Sequence, residues 1–216
     1  MTGGSDLAFR HALVPPANGR SRGVLFLLHG TGGDETSLLE LGRAVAPDRL
    51  LVGVRGRSNE EGVTRFFRRF HALRYDQEHL AAEADALAEF TLAAAGRYDV
   101  AGLPRAALGY SNGANIALAA QLRAPGTFGE MALLRAVQPF DAPPSPSLAG
   151  LTTLLLLGSE DPYLPAGRPL PGFLEGLGAD VEHAVLAAGH ALTFEDVGRL
   201  TAWFGRAPDG RPGGPD

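Results

Sequence analysis

One short segment of this 216-residue chain has the form of a nucleophilic serine turn. Residues 109–113 read Gly-Tyr-Ser-Asn-Gly, a G-x-S-x-G motif that follows an apolar run and precedes a helix-forming run. Such a strand-to-helix turn exposes the serine hydroxyl, and it needs flanking glycines because neighbouring backbone passes too close for a Cβ. The motif therefore predicts that Ser111 is a nucleophile, with a helix N-cap serine as the alternative.

A serine nucleophile needs a base to take its proton, and the base needs an acid to orient it. Asp161 and His190 each follow a later apolar run, so both are expected at the carboxyl end of a strand. The chain order serine, acid, histidine is that of an α/β-hydrolase triad. Glu160 adjoins Asp161 and is the alternative acid. The spacing thus predicts that Ser111, Asp161 and His190 act together.

The other five histidines are weaker candidates for the base. His183 lies inside a predicted strand, where a packed or surface side chain is expected. His29 ends a strand but precedes Ser111 in the chain, and we expect it to shape the glycine-rich turn beside it. The remaining three are interpreted as structural: His11, His71 and His79.

The glycine-rich turn at residues 29–33 reads His-Gly-Thr-Gly-Gly. A phosphate-binding loop is one interpretation, but the segment lacks both a lysine and the G-x-G-x-x-G spacing. Acyl transfer gives another, because its tetrahedral intermediate carries an oxyanion that two backbone N–H groups must stabilise. We expect these donors to be the amides of Thr31 and Asn112.

Together these segments resemble the phospholipase/carboxylesterase family of serine α/β-hydrolases, which includes the acyl-protein thioesterases. The likeness runs through nearly all of residues 24–204 and rests on four stretches: 28–35, 109–115, 158–165 and 189–190. The resemblance implies an esterase for small acyl esters in which Ser111, Asp161 and His190 form the triad. It also implies that the amides of Thr31 and Asn112 form the oxyanion hole.

Within this family the chain looks most like the bacterial carboxylesterases, which carry a segment similar to residues 55–69. The thioesterases more often have Gln where this chain has Asn112. Since the segment follows a strand, it is expected to wall the substrate site, with Phe66 or Phe67 lining the pocket. Arg65 is a candidate either to bind a substrate carboxylate or to pair with a nearby glutamate.

Strand-like and helix-like runs alternate along the whole chain, which predicts an α/β-hydrolase fold with a mostly parallel central sheet and helices on both faces. The clearest helices are expected over 77–95 and 112–123, and a capping box is expected at 37–40. Only about a dozen residues separate the strands ending near Val137 and starting near Leu151, so no cap domain and an open site are expected.

The rest of the chain fits a single domain over residues 1–204. Residues 205–216 are rich in Gly and Pro, and they are predicted to form a disordered tail. The chain has no cysteine and no lysine, so all 19 basic side chains are arginine. These absences exclude thiolate metal sites, cysteine nucleophiles and Schiff-base chemistry. We expect no cofactor and no metal.

The formal charge of −5 argues against nucleic acid as a partner. No signal peptide or spanning segment is predicted, so we expect a cytoplasmic protein that acts on a small-molecule ester away from membranes. A homodimer is compatible with the sequence. Two alternative functions stay open: hydrolysis of a thioester or activated amide by the same residues, and a binding or sensor module that has kept them.

Overall fold

The computed structural model describes residues 7–206, and there the chain alternates between strands and helices. The strands are β1 (His11–Val14), β2 (Val24–Leu28), β3 (Leu50–Val54), β4 (Ser58–Glu60), β5 (Val63–Arg65), β6 (Arg69–His71), β7 (Arg74–Tyr75), β8 (Arg105–Tyr110), β9 (Glu130–Leu134), β10 (Thr152–Gly158) and β11 (Asp180–Leu186). The helices are α1 (Leu39–Val45), α2 (Gln77–Arg97), α3 (Asn112–Arg123), α4 (Leu164–Gly167), α5 (Leu170–Gly176) and α6 (Phe194–Phe204).

Seven strands form the central sheet in the order β1-β3-β2-β8-β9-β10-β11. All neighbours are parallel except β1, which pairs antiparallel with β3 at one edge. All five residues of β2 are buried, as expected for a strand covered on both faces. The predicted α/β-hydrolase fold is confirmed.

Helices cover both faces of the sheet. Alternate residues of β2 enter different apolar clusters: Phe26 and Leu28 pack with α2 and α3, whereas Leu25 and Leu27 pack with α1 and α6. Helix α2 contacts α3, and α1 contacts α6. Every residue of α3 before its last is buried, and five of these eleven are Ala or Gly, so this helix lies close against the sheet directly after Ser111.

Two local predictions are corrected by the structure. Helix α1 begins only at Leu39, and no capping box forms at residues 37–40 because Ser37 and Asp34 bond to each other in the preceding turn. A capping box does form at the start of α6, between Thr193 and Asp196. The segment 55–69, expected from the sequence to be a loop, instead contains the short antiparallel hairpin β4–β5 and ends at the first residue of a second hairpin, β6–β7.

The segment 135–151 between β9 and β10 contains neither helix nor strand, so no cap domain is inserted there. Across residues 7–206 no helix has both the length and the apolar character to cross a membrane. Most of the predicted tail, residues 207–216, lies outside the described residues.

Candidate active site

Ser111 lies in the sharp turn between β8 and α3, with φ +52° and ψ −112°. A non-glycine residue rarely adopts this left-handed backbone, and the packing around the turn holds it there. A Cβ on Gly113 would lie 1.9 Å from the carbonyl oxygen of Leu28, and one on Gly109 would lie 2.6 Å from the backbone of Ala114. Both glycines of the motif are therefore required for the turn to close.

The structure brings together the three residues expected to form the triad. His190 Nε2 lies 2.9 Å from Ser111 Oγ, and His190 Nδ1 lies 2.8 Å from Asp161 Oδ2. Because an ionised carboxylate can only accept, Nδ1 carries the proton, and the lone pair of Nε2 faces the serine hydroxyl. Asp161 is buried, and its other oxygen accepts the backbone N–H of Tyr163 at 2.9 Å. The imidazole is thus held ready to accept a proton from Ser111.

The competing acid and bases lie elsewhere. Glu160 is exposed, and its hydrogen bond runs from its backbone N–H to the carbonyl of Ala188. His183 and His71 are exposed. His11 hydrogen-bonds to the hydroxyl of Tyr98, and His79 accepts the backbone N–H of Arg68. Within residues 7–206 the acid that contacts His190 is therefore Asp161.

His29 is fixed as a neutral ring beneath the glycine-rich turn. Its Nε2 accepts the N–H of Gly56 at 3.0 Å, and its Nδ1 donates to the carbonyl of Gly30 at 2.6 Å. Burial lowers the pKa of His29 below its ordinary value of 6.5. As expected from the sequence, this histidine shapes the turn.

Thr31 and Asn112 border the same cavity as Ser111 and His190. Asn112 is the first residue of α3, where a backbone N–H has no intrahelical partner. Within residues 7–206 neither the Thr31 nor the Asn112 N–H has an acceptor. The Asn112 side chain instead accepts the N–H of Phe66 at 2.7 Å, which ties α3 to the hairpin segment. In the described part of the chain, two amides without an acceptor therefore border the same cavity as Ser111.

Arg135, whose role the sequence pattern did not predict, holds the loop that carries His190. Its guanidinium donates to the carbonyls of Gly189 at 3.0 Å and Ala191 at 3.2 Å. The Tyr110 hydroxyl donates to the carbonyl of His190 itself at 3.1 Å. Three consecutive carbonyls are thus held. The available signal was the position of Arg135 directly after β9, at the carboxyl edge of the sheet.

The cavity at this edge has a volume of about 270 Å³. It is lined by Thr31, Arg69, Ala72, Leu73, Tyr75, Tyr110, Ser111, Asn112, Asn115, Arg135, Val137, Tyr163 and His190. The residues come from the carboxyl ends of several strands and from the β6–β7 hairpin, which forms one wall. This is the edge where ligands bind in open α/β sheets.

The structure contradicts the prediction that Arg65, Phe66 or Phe67 lines the substrate pocket. Both phenyl rings are completely buried, Phe66 against the ring of His29 and Phe67 against the ring of Tyr75, so neither faces the cavity. Arg65 is also buried, and its Nη1 lies 3.4 Å from Glu60, which matches the ion-pair alternative. The β4–β5 hairpin turns these side chains inward.

A larger cavity, of about 470 Å³, lies at the opposite edge of the sheet. It is bordered by the first residues of β9, β10 and β11 and by Trp203 and Phe204. Ser111 and His190 lie away from it, and amino ends of parallel strands are not the usual catalytic edge. The smaller cavity is therefore the candidate active site. Within residues 7–206 no group of three or more His, Asp or Glu side chains is arranged to hold a metal ion.

Known hydrolases are similar to this chain in sequence and in fold. No protein-family model matches the chain. MhqD of Bacillus subtilis (strain 168), described by name as a hydrolase, is 34% identical over 191 residues, which are 88% of this chain and 96% of MhqD. A carboxylesterase structure from Bacillus cereus has a TM-score of 0.88 at 32% identity, covering 93% of this chain and 95% of that one. A carboxylesterase structure from Mesorhizobium loti has a TM-score of 0.85 at 39% identity, covering 92% and 95%.

Proposed function

Because the chain belongs to the phospholipase/carboxylesterase family of serine α/β-hydrolases and is therefore an ester hydrolase, we propose that it cleaves small to medium acyl esters through an acyl-enzyme on Ser111. The observation that carries this proposal is the continuous hydrogen-bonded chain from Ser111 through His190 to Asp161 at the wall of the cavity. A nucleophile, a base and an orienting acid are the parts that acyl transfer needs.

In the first half of the reaction, Ser111 Oγ attacks the ester carbonyl carbon, and His190 Nε2 takes the serine proton. The carbonyl electrons move to oxygen, and the amides of Thr31 and Asn112 stabilise the resulting oxyanion. When the intermediate collapses, the bond from carbon to the alcohol oxygen breaks, and His190 gives its proton to the leaving alcohol. Asp161 holds the imidazole in the correct tautomer and stabilises its charged form.

In the second half, water attacks the carbonyl carbon of the acyl-enzyme while His190 accepts a water proton. Collapse of this second intermediate breaks the bond to Ser111 Oγ, which takes the proton back from His190. The products are one carboxylic acid and one alcohol, and the enzyme regains its starting state.

The size of the cavity supports the substrate class. A volume of about 270 Å³ is at the lower end of small-molecule sites. The segment 135–151 adds no cap that would enclose a long acyl chain. Both features favour short esters.

A fluorophosphonate probe tests the nucleophile, and a chain-length series tests the substrate class. We expect the probe to label Ser111, as mapped by mass spectrometry, and Ser111→Ala to stay unlabelled. Among p-nitrophenyl esters from acetate to laurate, kcat/KM is expected to peak at a short chain. A peak at laurate contradicts the size argument, and faster cleavage of a matched thioester than of its oxygen ester reassigns the scissile bond.

A further inference from the structure

The charges around the active-site cavity are of one sign. Among residues 7–206, its lining includes two guanidinium groups, those of Arg69 and Arg135, and no carboxylate. Asp161 lies behind the imidazole of His190, with both carboxylate oxygens already hydrogen-bonded. The two arginines would therefore attract an anionic group on a substrate, and no acidic side chain at the described cavity wall would repel it.

The two arginines are not equivalent. Arg135 is buried and neutralised by Asp196, with two hydrogen bonds of 2.8 Å. Arg69 is half-buried, and within residues 7–206 no carboxylate lies within 4 Å of its guanidinium. Glu60 is the nearby acid. Its carboxylate accepts the backbone N–H of Arg69 at 3.4 Å, and it forms an ion pair with the guanidinium of Arg65. Among the cavity-lining residues that the structure describes, Arg69 is thus the cation whose charge has no carboxylate partner in the described chain.

Two of the three tyrosines that line the cavity, Tyr75 and Tyr110, have pKa values shifted away from the ionised form. Burial raises the pKa of Tyr75 to about 12, although the positive charge of Arg69 opposes the shift. Burial also raises the pKa of Tyr110 above its ordinary value of 10. Both phenols are therefore neutral near pH 7, and neither supplies a negative charge to Arg69.

We infer that Arg69 binds a carboxylate on the substrate, so that the preferred esters are half-esters of short dicarboxylic acids. This inference rests on the proposed function. A planar guanidinium donates two parallel hydrogen bonds to a carboxylate, and a partly desolvated site strengthens that contact. Because the chain contains no lysine, arginine is the side chain that can offer a permanent positive charge to an anion here. The small cavity limits the diacid to a short chain.

A matched pair of esters tests this inference: monomethyl succinate, and methyl levulinate, in which a methyl ketone replaces the carboxylate. The quantity measured is kcat/KM for the anionic ester divided by kcat/KM for the neutral ester, so that intrinsic reactivity cancels between variants. Arg69→Gln is expected to lower this ratio about 10- to 100-fold relative to wild type, the usual value of a hydrogen bond to a charged group. Arg69→Lys is expected to keep part of the preference.

Arg68→Gln is the matched control. Arg68 is the neighbouring arginine, but it is exposed, pairs with Asp76 at 2.9 Å and does not line the cavity. For Arg68→Gln we expect the ratio of the two kcat/KM values, anionic ester over neutral ester, to equal that of wild type. A ratio for Arg69→Gln within about twofold of wild type overturns the inference.

Two further measurements separate this inference from the proposed function. If wild type cleaves p-nitrophenyl acetate in a Ser111-dependent way but the ratio does not depend on Arg69, only the carboxylate inference fails. If wild type cleaves no ester, both fail. Should Arg69→Gln not fold, competition in wild type decides, because succinate is expected to inhibit about tenfold more strongly than uncharged succinamide. Equal inhibition overturns the inference.

Discussion

The guanidinium of Arg135 donates two hydrogen bonds of 2.8 Å to the carboxylate of Asp196, and both side chains are buried. The same guanidinium binds the carbonyls of the two residues that flank His190. Asp196 also accepts the backbone N–H of Thr193 at the start of α6. One ion pair therefore connects the loop that carries His190 to the end of β9 and to the closing helix.

Removal of one partner of this pair is expected to affect both stability and turnover. Arg135→Met leaves the Asp196 carboxylate buried without a counter-charge, so we expect urea denaturation to show a loss of about 3–5 kcal/mol. Adding Asp196→Asn removes the unpaired charge and is expected to recover part of that stability. Because the carbonyls beside His190 remain unsupported, kcat should stay low in the double variant. A double variant with wild-type kcat would show that Arg135 does not position the loop.

The two adjacent carboxylates Asp161 and Glu160 are expected to differ sharply in their effect on catalysis. Asp161→Asn removes the carboxylate that holds His190 in the correct tautomer. The equivalent replacement in the triad of serine proteases lowers kcat by about 10⁴. Glu160→Gln changes an exposed side chain without contact to His190, so kcat should stay within about twofold of wild type. Steady-state kinetics on a p-nitrophenyl ester measure both. The reverse order would move the acid to Glu160.

Replacement by alanine is expected to affect stability in opposite directions at Gly113, in the serine turn, and at Gly198, in α6. Gly113→Ala would force a Cβ to within 1.9 Å of the Leu28 carbonyl oxygen, so we expect loss of the folded protein or of several kcal/mol of stability. Gly198 lies inside α6 with open space around it, and Gly198→Ala is expected to add about 0.5–1 kcal/mol. Circular dichroism with thermal melting compares the two. A normally stable Gly113→Ala protein contradicts the geometry of the turn.

The buried ring of His29 predicts a pH dependence of stability. Its pKa in the native state lies below 6.5, so the unfolded chain binds more protons than the folded one as the pH falls below that value. The stabilisation is therefore present above the unfolded-state pKa and is lost as the pH falls toward the lowered native pKa. His29→Asn is expected to flatten the slope of unfolding free energy between about pH 5 and pH 7. The exposed His183→Asn is the control, and an unchanged slope in His29→Asn contradicts the assignment.

The parts of the site that follow a strand were predictable from sequence. Ser111, Asp161 and His190 each come directly after a buried apolar run, and the carboxyl ends of parallel strands meet at one edge of the sheet. Chain order and local glycines then suffice to place the three residues. The same logic located the turn of Thr31 and predicted the two main helices to within two residues at their ends.

The remainder depended on contacts that one-dimensional patterns do not encode. The direction of Arg65 and Arg69 is set by the β4–β5 and β6–β7 hairpins, whose strands are only two or three residues long and, in β6–β7, shift register. Strands this short have too little alternation to indicate which side is buried. Arg135 acts through Asp196, 61 residues further along the chain, and no local signal connects them.

The proposed roles of Ser111 and His190 are tested most directly by the turnover of p-nitrophenyl acetate in the variants Ser111→Ala and His190→Ala. Because the hydroxyl and the imidazole act as one unit, each variant is expected to lower kcat by about 10⁴ or more, while the folded structure by circular dichroism stays that of wild type. Turnover close to wild type in either variant would contradict the assignment of Ser111 as nucleophile and His190 as base.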